Sequence, residues 1–175
     1  MSFEHPVEHH PAQIAARLIL LPELAHLAEA RVGWLLRVDT MMKAGRWVLG
    51  TCYLPTVQGS LRPLFDWFMV KEFGDDPPLD FLIVLDRDYW REATDLQREI
   101  LVYHELMHCG HAVDKHGVDR YDKDTGRPVY CIRGHDVEEF VAVVQRYGVH
   151  NSDIEAFINW KVIEEQKVAS LVAGS

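Results

Sequence analysis

Apolar and polar positions alternate along this chain with two different periods, one helical and one extended, in short blocks. Pro11 opens an apolar-periodic stretch through Ile14, Leu18 and Leu21, which predicts a helix; Pro22 then kinks it or restarts a second piece through Leu24 and Leu27. Residues 32–37 and 47–54 read as strands separated by a turn around Lys43-Ala44-Gly45, so a hairpin or two adjacent strands are expected. Residues 59–78 hold Phe65, Trp67, Phe68 and Phe73 before the turn cluster Gly74-Asp75-Asp76-Pro77-Pro78, the pattern of a loop or short helix docked into the core by its aromatics. Asp80-Phe81-Leu82-Ile83-Val84-Leu85-Asp86 is an apolar run bounded by acids, which predicts a strand that is either buried at the centre of a sheet or exposed at its edge.

Thr94-Asp95-Leu96-Gln97 has the form of a capping box, and Leu96, Ile100, Leu101, Val102 and Met107 follow at helical intervals. A helix over about 95–109 is predicted, with Gly110 as its C-terminal breaker. Further on, Asp122-Lys123-Asp124-Thr125-Gly126 closes a hairpin between about 118–121 and 129–132. Helices resume with a second capping box, Asp136 and Glu139, ahead of Phe140, Val141, Val144 and Tyr147. A last amphipathic helix runs from Ser152 or Asp153 to Val172 through Ile154, Phe157, Ile158, Val162 and Ile163. The sum is an α+β fold: helices packed on a small, mainly antiparallel sheet, with the 95–109 helix across one face. One domain spanning 1–175 is expected, with 1–11 as a flexible polar tail.

Composition narrows the function classes. With 175 residues, 48% of them hydrophobic, there is material for one core and too little for two comfortable domains. A net charge of -9 argues against an autonomous nucleic-acid binder, which needs a basic face to release phosphate counterions. No apolar run is long enough to span a bilayer and the N-terminus lacks the basic and apolar blocks of a signal peptide, so a cytoplasmic protein is expected. Cys52, Cys109 and Cys131 are an odd number without a C-x-x-C pair, which fits free thiols in a reducing compartment. Cys109 reads as a small buried apolar residue rather than a ligand.

Within the 95–109 helix stands His104-Glu105-Leu106-Met107-His108. At 3.6 residues per turn, positions i and i+4 share a face, so both imidazoles reach one metal ion while Glu105 lies beside them as a base. This H-E-x-x-H spacing predicts one catalytic Zn²⁺ and a metallohydrolase, with peptide bonds as its substrate.

Catalytic zinc takes three protein ligands, so a third must be found. His111, on a continuing helix, would stand about 10.5 Å along the axis from His104, too far for a common metal. His135 sits just before the second capping box, a fixed position from which it can cross to the zinc helix. Glu138 and Glu139 are its rivals, with His111, His116 or an aspartate behind them.

The chain resembles the phage metallopeptidases, found in phages and prophage regions. The resemblance rests on Asp80-Phe81-Leu82-Ile83-Val84, Trp90, Gln97-Arg98-Glu99, the run Tyr103 through Cys109, His135-Asp136-Val137-Glu138-Glu139-Phe140 and Arg146-Tyr147-Gly148. It covers about 80–148 and implies a zincin-like core acting in a host cytoplasm. The histidine before a helix is also similar to the third-ligand region of SprT-like proteases, which implies His135. Those proteins commonly carry basic or zinc-ribbon modules for DNA, and this acidic chain has neither.

The expected reaction is hydrolysis of a peptide bond by metal-activated water, with His104, His108 and His135 on the metal and Glu105 as general base. The expected partner is a protein or peptide substrate of host or phage, without membrane or nucleic acid. Tyr103, Tyr121 and Tyr130 are open candidates for stabilising an oxyanion. Two other readings stand: a zinc-dependent amidase acting on a small molecule, and a noncatalytic zinc-stabilised interaction module with four protein ligands.

Overall fold

The computed structural model describes residues 2–74, 78–135 and 155. The chain divides into two compact units, Met1–Arg133 and Gly134–Ser175. The predicted helices over about 136–147 and 152–172 lie outside the described residues apart from Glu155, which is helical, and Glu138 and Glu139 lie outside them too.

The first unit is α+β. Strand β1 (Phe3–Glu4) leads to helix α1 (Pro11–Leu18) and a 3-10 turn over Pro22–Leu27. Pro11 takes the first helical turn as expected, and Pro22 restarts the chain in a tighter winding that buries Leu24 and Leu27. Strand β2 (Val32–Arg37) is followed by a small hairpin of β3 (Met42–Lys43) and β4 (Arg46–Trp47), then β5 (Gly50–Tyr53). The hairpin turns through Ala44 and Gly45, both at positive φ (50° and 75°). Helix α2 (Arg62–Phe73), strand β6 (Phe81–Asp86), helices α3 (Arg87–Glu92) and α4 (Asp95–Met107), and strands β7 (Cys109–His111) and β8 (Tyr130–Ile132) complete the unit.

The main sheet has the order β1-β2-β6-β5. This corrects the expectation that the second and third apolar blocks form a hairpin or neighbours, because β6 lies between β2 and β5. The sheet is mixed rather than mainly antiparallel: β2 and β6 run parallel over six paired residues, Val32↔Phe81 to Arg37↔Asp86, while β1–β2 and β5–β6 are antiparallel. A parallel pair needs a long crossover, and the chain from β3 to α2 supplies it. Central placement explains why β6 is apolar almost throughout, and it excludes the reading of β6 as an edge. Among the described residues the edges are β1 and β5. Where the sequence read as a polar tail, Phe3–Glu4 pairs with β2 and the His10 ring caps α1 by accepting from the Ala12 N–H.

One sheet face presents Trp34, Leu36, Cys52, Phe81, Ile83 and Leu85 to Leu24, Leu27, Leu101, Val102 and Leu106, forming the core between sheet, α1 and α4. Leu96 and Ile100, counted in the helical pattern, stay exposed. On α2, Met69 is the single buried residue, while Trp67 and Phe68 are 58% and 52% exposed. Their expected core role is therefore overturned: the sheet face beneath α2 is not closed over by it. Among the described residues no helix is long and apolar enough to cross a membrane.

Candidate metal centre

The capping box forms as its residues predict. The Thr94 hydroxyl accepts from the Gln97 N–H, and the Gln97 side chain accepts from the Thr94 N–H at 2.8 Å. The helix so started ends at Met107, earlier than expected, with His108 as its C-cap. Gly110 is no helix breaker: it lies inside β7, paired with Cys131 of β8. A β-carbon there would stand 2.6 Å from Arg133 Cγ and 3.2 Å from Cys131 Sγ, so close strand approach accounts for the glycine. Strand β8 is thus used on β7, while the Asp122–Gly126 turn closes a shorter ladder in which the Asp122 N–H donates to Arg127 and the Val129 N–H to Arg120.

His104 and His108 share one face of α4, with ring centroids 5.0 Å apart. His108 and Arg133 bond reciprocally. The Arg133 N–H donates to the His108 carbonyl, and His108 Nδ1 donates to the Arg133 carbonyl, each at 2.8 Å. A carbonyl can only accept, so this bond fixes the proton on Nδ1 and leaves Nε2 with its lone pair. It also holds the chain two residues before His135 against the helix end. One donor atom from each of His104, His108 and His135 lies within 4.8 Å of the others. Donors sharing a tetrahedral zinc at about 2.1 Å stand roughly 3.4 Å apart, so the cluster lies within about 1.4 Å of the spacing a common ion needs. Three neutral imidazoles are a donor set that zinc accepts.

Glu105 is placed differently from its neighbours. It is 2% exposed, and its Oε2 has no hydrogen-bond partner among the described residues. Burial pushes its carboxyl up to about 7. An unpaired buried carboxylate oxygen is costly unless something bonds it, and a water or substrate group at a metal site would do so. Gly50 of edge strand β5 lies directly against this carboxylate, where a β-carbon would collide with it.

His111 and His116 lie outside the cluster. His111 is held by the following loop instead, with Nε2 donating to the Arg120 carbonyl at 2.9 Å and Nδ1 3.4 Å from Asp119. Cys109 is fully buried with its Sγ 3.4 Å from that of Cys52, in keeping with a packing role; the hydrogen bond between the thiols, and then burial, push its pKa up. Among the tyrosines, Tyr103 donates to Glu23 at 3.0 Å and Tyr121 packs edge-on against His111. The Tyr130 hydroxyl is buried without a partner among the described residues, and burial pushes it up to about 12.

Sequence reasoning missed three contributors: Gly50, the Arg133 carbonyl, and His26, whose Nε2 donates to the Cys109 carbonyl at 2.8 Å. For Gly50 a signal existed, since glycine inside a strand marks close approach by another group. The other two act through backbone carbonyls, which carry no sequence signature.

A family model described as "Putative phage metallopeptidase" matches residues 5–165. No curated protein and no solved structure gives a match. The family match and the three-histidine cluster together support a metal-dependent hydrolytic function.

Proposed function

The chain belongs to the phage metallopeptidase family, and from that membership we propose that it is a zinc-dependent peptidase of the H-E-x-x-H type. The reading is carried by the grouping of His104 and His108 of α4 with His135, beside a Glu105 that is buried with an unbonded carboxylate oxygen. In this reading the three histidines would hold one Zn²⁺, which when bound would supply Lewis-acid polarisation of a water molecule and of the scissile carbonyl. Glu105 takes a proton from water and hands it to the leaving amine. The Arg133 carbonyl keeps His108 in the tautomer that offers Nε2.

Strand β5 suits the role of a substrate rail. Among the described residues it is an edge of the sheet, and it carries Gly50 against Glu105. An extended peptide adding to that edge would run its backbone past the base. The substrate is a host or phage protein met in the host cytoplasm. A noncatalytic zinc module would close its site with a fourth protein ligand and need no base, whereas the cluster among the described residues has three histidines.

Elemental analysis with a peptidase assay tests the proposal. Purified protein should hold about one zinc per chain, lost in His104→Ala and His135→Ala. Glu105→Gln should keep the zinc and lose cleavage of an unfolded protein substrate. Failure to bind added Zn²⁺ would sink the reading, and cleavage undiminished in Glu105→Gln would remove Glu105 from it.

A further inference from the structure

The sheet face away from α4 carries a second site. Leu35, Leu82 and Val84 form its floor, and Phe65, Met69 and Phe73 of α2 its roof, around a cleft of about 500 Å³. That volume falls within the roughly 300–1,000 Å³ of small-molecule pockets, which are likewise apolar with few polar groups. Phe73 packs down at one end of the cleft, its Cε1 3.0 Å from where a β-carbon on Gly33 of β2 would stand, and Met69 is the buried residue of α2, so the helix spans the cleft and closes it at that end. Phe3, Tyr53 and Phe68, 49%, 44% and 52% exposed, also line the cleft, so apolar surface continues out to solvent.

The charged groups on the lining define what fits. Glu4 is paired with Arg91 at 3.0 Å, and Glu72 with His5 at 3.1 Å. Arg37, buried, faces Asp86 at 3.5 Å and also donates to the carbonyls of Asp39 and Val48 and to Met41 Sδ. An anion would meet the carboxylates of Glu4 and Glu72, a cation would have to displace Arg91 and His5 from them, and either would lose hydration over the apolar floor. We propose that this cleft binds an uncharged, apolar small molecule, at a site separate from the histidine cluster.

Fluorescence titration of the intact protein with N-phenyl-1-naphthylamine, a neutral apolar probe, tests this. Saturable binding of one probe per chain is expected, with the anionic 8-anilino-1-naphthalenesulfonate at least tenfold weaker. Val84→Trp fills the cleft and should weaken the neutral probe at least tenfold while zinc content stays unchanged. If that variant fails to fold by circular dichroism, the milder Leu82→Phe is read instead, with the same expectation. Non-saturable binding, equal affinity for the two probes, or affinity unchanged in a folded filling variant overturns the site. So does a signal that appears only as sedimentation shows the chain dimerising, which would make this face a protein interface.

Discussion

Gly50 and Glu105 are in such close contact that a β-carbon on Gly50 would stand 2.7 Å from Glu105 Cδ. Gly50→Ala must therefore displace the carboxylate or push back strand β5. If Glu105 is the base, a shift of this size lowers kcat by about a hundredfold. Zinc content and the circular dichroism spectrum should be unchanged. A loss smaller than about threefold would show that the carboxylate need not sit where the glycine allows it.

Thr94→Ala removes the cap that starts the helix carrying His104 and His108. The expected cost is about 1 kcal/mol, which lowers Tm by roughly 2–4 °C for a chain of this size. Thermal unfolding followed by circular dichroism reads it. An unchanged Tm would mean that tertiary packing alone holds the first turn.

Asp86 is the counter-charge of buried Arg37, accepts from the Trp47 indole N–H at 3.0 Å, and caps α3 by accepting from the Tyr89 N–H. Asp86→Ala leaves Arg37 buried without its partner, at an expected cost of about 3–5 kcal/mol in denaturant unfolding. The double replacement Arg37→Met with Asp86→Leu should cost less than the sum of the single changes, because neither charge is then stranded. Strict additivity would mean the two groups do not act as a pair.

Asp122 accepts from the Thr125 N–H, the Thr125 hydroxyl and the Asp124 N–H, and these bonds hold its carboxyl below the ordinary 3.8. The folded chain thus favours the ionised form. The turn's contribution to stability is fully present above pH 3.8 and is lost as pH falls through the lowered folded value. Carboxyl NMR should give Asp122 a midpoint below that of an ordinary aspartate. A midpoint at or above the ordinary one would show that the turn bonds do not persist in solution.

Of the three cysteines, Cys52 and Cys109 are buried and Cys131 is partly exposed. A thiol reagent should therefore titrate one group in the native protein and three after unfolding. Rapid reaction of all three would mean that β5 and the end of α4 separate readily.

Much of the site was legible because it is local. The capping box, the helix it starts and the shared face of His104 and His108 depend on residues a few positions apart, and helix geometry fixes them. The helix's end was misjudged because β7 competes for Cys109–His111, and its partner β8 is some twenty residues away. Trp67 and Phe68 were misplaced for a related reason: aromatic content says that a helix wants cover, not whether the fold provides it.

The sequence by itself determined the helix that carries His104, Glu105 and His108, the shared face of the two histidines, and the α+β class. Tertiary structure decided that β6 lies between β2 and β5, that a β8 carbonyl-bearing continuation at Arg133 orients His108, and that Gly50 meets Glu105. Helical spacing is set within a single turn of backbone. Strand order and the approach of one backbone to another's side chain depend on which long-range pairings bury the most apolar surface together, and no single stretch of the chain encodes them.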